Sequence, residues 1–139
     1  MSDEFLNVQL LISGKWQDAA DGRTLPVQDP ATGEAIGKVA HASKAELALA
    51  ADGAAKGFEA WRALTAWDRL VIMHKSAELL RERAKSIGRI MSLEQGKPLE
   101  QAIIEIQGAA NVIDYFAEEG RPLHGVLIPP RAQNVEQRV

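Results

Sequence analysis

The spacing of apolar residues predicts three amphipathic helices in the middle of the chain. From Leu47 to Trp61, apolar positions recur in alternating steps of four and three, which draws one narrow stripe down a helix. A second stripe with the same spacing runs from Leu70 to Met91. The third helix is predicted between Pro98 and Gly120, and its stripe consists of Ala102, Ile106, Ala109, Ile113 and Phe116, widened by Ile103, Val112 and Ala117. Because the connections are short, neighbouring helices are expected to pack antiparallel in a hairpin-like bundle.

Local signals mark where these helices begin and end. Ser43 and Glu46 have the spacing of a capping box, and Thr65 is the predicted N-cap of the second helix. In the stretch Ser92-Leu93-Glu94-Gln95-Gly96-Lys97-Pro98, Gly96 suits the left-handed residue after a helix end and Pro98 suits the first turn of the next helix.

The segments on either side of the helices are predicted to form strands. Val8–Ile12, Lys15–Gln17, Leu25–Gln28 and Ala35–Val39 alternate with turn residues and suggest a small antiparallel meander. After the helices, His124-Gly125 is a predicted turn and Val126–Ile128 a predicted strand. The polar segment Arg131–Val139 ends where a further strand would be expected to begin.

The pattern of strands and helices therefore predicts an α+β fold. It divides into N-terminal strands (1–42), a three-helix part (43–121) and the start of a strand region (122–139). The glycines inside the predicted helices are expected at close helix contacts, and the three tryptophans are expected to be core or packing residues. These are Gly53, Gly57, Gly88, Gly108, Trp16, Trp61 and Trp67.

Composition excludes several classes of function. The chain of 139 residues carries a net charge of −3 with its basic residues interleaved with acidic ones, so a nucleic-acid partner is not indicated. It contains no cysteine, and therefore neither a disulfide nor a thiolate site. The three histidines are far apart and are expected at surface or turn positions, without metal-ligand spacing.

No apolar run has the length of a membrane span, so a soluble, cytoplasmic protein is expected. No glycine-rich loop joins a strand to a helix, and the residues alone reveal no reaction centre.

Four pieces of the sequence, taken in order, resemble the amino-terminal portion of the aldehyde dehydrogenase superfamily. They are LISGKWQDAADGRTLPVQDPATGEAIGKV (11–39), AWRALTAWDR (60–69), SLEQGKPL (92–99) and DYFAEEGRPLHGVLIP (114–129). The LEQGKP form, followed by FAEEG and an IP strand, most resembles the bacterial succinate-semialdehyde dehydrogenase branch.

The resemblance implies that the chain is an α+β fragment of an α/β enzyme, in which the three helices (43–121) belong to the cofactor-binding domain. That enzyme would be NAD- or NADP-dependent and homo-oligomeric, and it would oxidise a small aldehyde. In this family a cysteine thiolate attacks the aldehyde, hydride passes to the nicotinamide, and a glutamate activates the water that hydrolyses the thioester. The cysteine, that glutamate and the cofactor-binding loops lie later in the family's chains. We therefore expect no catalytic, cofactor-binding or metal residue in this chain, and no activity from it alone.

The same resemblance places the helix after Pro98 along the aldehyde entry tunnel. Ile104, Gly108 and Tyr115 are the residues expected to form that wall, and the alternative is that they are simply core residues. Glu94 matches an acidic position that lies near a structural monovalent cation in some members. The segment around Val126–Ile128 resembles the lead-in to the oligomerisation sheet.

Two other classes of function remain open at this point. The chain could be a free-standing helical module that binds a partner protein, or a piece retained only for oligomerisation or regulation. If it is a fragment, its apolar stripes should exceed what its own elements can bury, and the isolated chain should self-associate.

Overall fold

A computed structural model describes residues 7–122, 127–128, 133–134 and 137–138. In this part of the chain, two β-hairpins precede four helices. The strands are β1 (Leu10–Ile12), β2 (Lys15–Gln17), β3 (Thr24–Gln28) and β4 (Ala35–Ala40), and the helices are α1 (Lys44–Ala63), α2 (Ala66–Glu82), α3 (Ala84–Gln95) and α4 (Leu99–Glu119). Two further two-residue strands, β5 (Leu127–Ile128) and β6 (Gln137–Arg138), pair antiparallel with each other. Val126 and the predicted turn at His124-Gly125 lie outside the described residues.

The four predicted N-terminal strands are confirmed, but they do not pair in the predicted order of a single meander. β1 pairs only with β2 and β3 only with β4 among the described strands, both antiparallel. Ser13 and Gly14, at φ 50° and 78°, form the tight turn that the Ser-Gly pair predicts. A single parallel bridge between Val8 and Val39 joins the start of the chain to β4. The named strands therefore form two hairpins, which this bridge links.

The second predicted helix is in fact two helices. Arg83 leaves the helical conformation, with φ −97° and ψ 6°, and so separates α2 from α3. The break occurs without glycine or proline; Arg83 N–H still donates to Leu79 C=O at the end of α2, and Arg83 C=O accepts from Ile87 N–H at the start of α3. Both helices pack antiparallel along α4, a helix about 30 Å long. The bend therefore lies at the junction of two segments that contact the same partner.

The interior of this helical layer is made of small residues. The buried apolar residues of the described chain are Ala19, Ala77, Ala84, Ala102, Ile106, Ala110 and Ala117. At Gly88 the helices approach so closely that a Cβ there would lie 2.8 Å from Cγ1 of Ile103. Close helix packing is thus confirmed for Gly88. A Cβ on Gly57 or Gly108 would have no neighbour within 4 Å, so the same prediction is wrong for those two glycines.

Several predicted core positions face solvent. Helix α1 does not pack against α2 as a bundle hairpin; in the described chain its main tertiary contact is with β1. On α4 the buried stripe runs through Ala110 and Ala117, so the predictions for Ala109 and Phe116 are wrong. Trp16 and Trp67 are also largely exposed, against the prediction. No helix in the described part is both long and apolar enough to cross a bilayer.

The helix boundaries are confirmed where local chemistry determines them. The Ser43 and Thr65 side chains both accept from the backbone N–H three residues on, each within a capping box. Gly96 ends α3 at φ 70°, its N–H donates to Ser92 C=O, and Pro98 is the N-cap of α4. The Ser92 hydroxyl donates to Lys97 C=O over 2.6 Å, which closes the loop between the two helices.

Candidate functional site

The outer face of α4, defined by Ile104, Gly108, Val112 and Tyr115, is an exposed apolar surface. At 100° per residue, these positions lie on the side of the helix opposite its buried alanines. Ile104 is 65% exposed and Tyr115 60% exposed, and a Cβ on Gly108 would meet no atom within 4 Å. The three residues predicted for the tunnel wall therefore share one face, and within the described chain they are not core residues.

This face can bind but cannot catalyse. It offers two branched aliphatic side chains, a phenol and a notch at Gly108, and it contains no carboxylate, imidazole, amine or thiol. Apolar contact of this kind is what the walls of small-molecule sites mostly consist of. An exposed apolar stripe also marks a surface that another part of a protein covers.

A polar cluster that the sequence did not reveal lies between α2 and α4. Nδ1 of His74 is 3.0 Å from Oδ1 of Asp114, and its Nε2 is 3.2 Å from Oε1 of Glu118. Arg81 donates to Asp114 over 2.6 Å and to Asn111 over 2.8 Å. The His74 side chain is 40% exposed, which agrees with the predicted surface position, but the sequence did not reveal that its ring lies between two carboxylates of the neighbouring helix.

Arg121 completes this cluster at the end of α4. Its guanidinium donates to Glu118 over 2.7 Å and lies 4.2 Å from the centre of the Trp67 ring, within cation–π range. Hydrogen bonds from Arg121 and from His74 hold the pKa of Glu118 below its ordinary value. The cluster therefore fastens the start of α2 to the end of α4.

The sequence carried a weak signal for this cluster. Asn111, Asp114 and Glu118 recur at steps of three and four, and His74 and Arg81 are seven residues apart, so each set shares one helix face. Which helix faces which could not be deduced from that spacing. The cluster contains acids, bases and donors but no nucleophile beside a general base, and its role in the described structure is to join helices.

Glu94 lies exposed on α3. Among the described residues, no group of three or more His, Asp or Glu side chains is placed to share a metal ion.

Comparison with known proteins identifies the family. The profile of the aldehyde dehydrogenase family matches residues 16–139, most of the chain. The chain belongs to the aldehyde dehydrogenase family. The chain corresponds to the amino-terminal part of the family's proteins, as the four ordered sequence pieces predicted.

Several relatives within the family are named semialdehyde dehydrogenases, and others are named 4-(hydroxymethyl)benzenesulfonate dehydrogenases. The chain is 43% identical over 121 residues to the NADP+-linked succinate-semialdehyde dehydrogenase of Escherichia coli, covering 87% of this chain and 25% of that protein. It is 45% identical to the glutarate-semialdehyde dehydrogenase of Pseudomonas putida, with the same two coverages of 87% and 25%. The crystal structure of succinate-semialdehyde dehydrogenase from Burkholderia pseudomallei superposes with a TM-score of 0.89 at 38% identity, over 94% of this chain and 27% of that one. The chain thus spans about a quarter of the length of these relatives.

The described part of this aldehyde dehydrogenase chain does not fit a dinucleotide. Its named strand pairs are all antiparallel, whereas a dinucleotide site of the Rossmann type requires parallel strands with a glycine-rich turn at a helix start. The sequence also has no cysteine to act as the thiolate nucleophile.

Proposed function

We propose that this chain is the amino-terminal part of an NAD- or NADP-dependent enzyme that oxidises a small semialdehyde, with succinate semialdehyde as the first substrate to assay. The observation that carries the proposal is the identity of 43–45% to relatives named for succinate and glutarate semialdehyde. These two substrates differ by one methylene and share a terminal carboxylate, so both belong in the assay.

The chain alone is proposed to be inactive. A thiolate must attack the aldehyde carbon before hydride can leave, and this chain has no cysteine to supply one. Incubation of the 139-residue chain with semialdehyde and either NAD+ or NADP+ should give no reduced nicotinamide, and calorimetry should show no dinucleotide binding. Micromolar dinucleotide binding by the chain would contradict the assignment of the cofactor site to other parts of the enzyme.

In the assembled enzyme, the outer face of α4 is proposed to line the path by which the aldehyde enters. Support comes from the shared exposure of Ile104 and Tyr115 on either side of the notch at Gly108. Lining residues of this kind change substrate access without touching the reacting atoms.

A chimaera can test this proposal. In it, the chain replaces the matching quarter of the E. coli succinate-semialdehyde dehydrogenase. The substitution Ile104→Trp should raise the KM for semialdehyde and leave the KM for NADP+ unchanged. Val71→Trp, at a comparably exposed position on α2, is the matched control. Equal effects of the two substitutions on the semialdehyde KM would contradict the tunnel assignment.

The segment 122–139 is proposed to begin the strand region through which the whole enzyme forms a homo-oligomer. The short β5–β6 pair at 127–128 and 137–138 supports this proposal, because paired strands here provide an edge that a neighbouring strand can extend. Deletion of residues 122–139 from the chimaera should lower its oligomeric state in light scattering; an unchanged assembly would contradict the role.

A further inference from the structure

The contact between α2 and α4 contains few large side chains that interlock. Among the described residues, Ile106 is the one buried apolar side chain larger than alanine. Ala77 of α2 is buried, as are Ala110 and Ala117 of α4. Alanine faces let two helices approach closely, but their ridges are shallow and hold the register of the helices less firmly than long side chains do. The register of α4 on α2 therefore depends on directional contacts as well.

Asp114 provides such directional contacts from α4 to α2. Its Oδ2 accepts from Arg81 over 2.6 Å, and its Oδ1 lies 3.0 Å from Nδ1 of His74. The same Arg81 nitrogen donates to Asn111, one turn earlier on α4, over 2.8 Å. The Asp114 side chain is 25% exposed, so water screens its charge less than at an open surface. Polar networks of this kind make the packing between two elements more rigid and more specific.

Tyr115 lies beside this network on the outer face of α4. At 100° per residue, Asn111 and Glu118 lie about 40° and 60° from Tyr115 around the helix axis. Asp114 lies on the same side, about 100° away. The Tyr115 ring is 60% exposed and contacts Phe116 edge-on, with the ring centres 5.3 Å apart. The network therefore borders the outer face, and a rotation or slide of α4 would move Tyr115 together with Asp114.

We propose that Asp114 is a positioning residue for the aldehyde path. By holding Arg81 and His74 of α2, it sets the place of Tyr115 on the outer face of α4 and so the width of the path. Asp114 acts through Tyr115 and does not itself touch the aldehyde. This inference rests on the proposed function, because the place of Tyr115 matters for turnover only where the outer face lines the path.

Steady-state kinetics of the chimaera with the E. coli enzyme test this role. Asp114→Asn keeps the shape of the side chain but removes the charge that faces Arg81, and it should raise the KM for succinate semialdehyde roughly threefold or more. The kcat and the KM for NADP+ should not change, because a wall residue affects binding of the aldehyde and not the chemical step. Arg81→Met should have the same effect, whereas Arg81→Lys, which keeps a cation beside Asp114, should stay close to the wild type. Glu78→Gln is the control, because it breaks an exposed ion pair with Lys75 within α2.

A double-mutant cycle shows whether Asp114 acts through Tyr115. In a Tyr115→Ala background, Asp114→Asn or Arg81→Met should raise the semialdehyde KM no further. An equal rise in both backgrounds would overturn the proposal, as would a parallel fall in kcat and rise in both KM values, which a merely structural role would produce.

Ile104→Trp distinguishes this inference from the proposed function on which it rests. If Ile104→Trp raises the semialdehyde KM and neither Asp114→Asn nor Arg81→Met does, the positioning role is wrong and the aldehyde path along α4 stands. If none of the three substitutions raises it, both are wrong.

Discussion

Replacement of Gly88 by alanine should lower the free energy of unfolding, because α3 and α4 touch at this residue. The added Cβ would lie 2.8 Å from Cγ1 of Ile103, 3.1 Å from its backbone nitrogen and 3.2 Å from its Cα. A backbone cannot rotate aside as the tip of a long side chain can. The two helices would therefore have to separate to accept one methyl group.

The magnitude follows from two opposing effects. Overpacking of a well-packed contact costs about 1–3 kcal/mol. Alanine is better than glycine inside a helix by roughly 1 kcal/mol, which offsets part of that cost. Gly88→Ala should therefore lose between about 0 and 2 kcal/mol of stability.

Gly108→Ala is the matched control on α4. Its new Cβ would meet no atom within 4 Å, so this variant should gain roughly 1 kcal/mol from helix propensity alone. Urea unfolding of the 139-residue chain, followed by circular dichroism, should separate the two variants by about 1–3 kcal/mol. Two variants of equal stability would refute the close approach of α3 and α4.

Three further changes test the local chemistry. Glu46→Gln should lower the free energy of unfolding at neutral pH, because the Glu46 carboxylate accepts hydrogen bonds from two backbone N–H groups. Those bonds lower the pKa of the folded carboxylate. The difference in stability between the variant and the wild type should therefore shrink as the pH falls below 4.5 and the wild-type carboxylate becomes protonated. Urea unfolding at a series of pH values measures this difference, and Glu59→Gln, at an exposed position, is the control. A loss of stability that does not change with pH would contradict the prediction. Thr65→Ala should cost about 1 kcal/mol by removing the N-cap of α2, and an unchanged melting temperature would count against it. Arg121→Ala should raise the pKa of Glu118 in an NMR titration, and a pKa that does not move would show that this ion pair is absent in solution.

The sequence predicted those features that a few neighbouring residues determine. Glu46 reaches its cap within one turn of helix, and Gly96 adopts φ 70° because a helix end there needs a left-handed residue. The Ser13-Gly14 turn is equally local. Each feature depends on backbone geometry over four residues or fewer, so sequence pattern was sufficient.

Features that depend on distant contacts were not predictable in this way. Glu118 lies 44 residues from His74, and only the packing of α2 on α4 brings them together. The break at Arg83 has no glycine or proline to mark it. The apolar stripe of α1 that contains Phe58 has the spacing of a core face. Periodicity shows that one face of a helix is apolar, but it does not identify the part of the protein that covers this face. The four ordered sequence pieces identified the family because they compare whole segments with known chains.

The activity of the chimaera with the E. coli enzyme tests the central claim most directly. If this chain is the amino-terminal part of a semialdehyde dehydrogenase, the chimaera should reduce NADP+ with succinate semialdehyde, whereas the 139-residue chain alone should not. A folded chimaera that binds NADP+ but oxidises neither succinate nor glutarate semialdehyde would contradict the account, as would aldehyde oxidation by the chain alone.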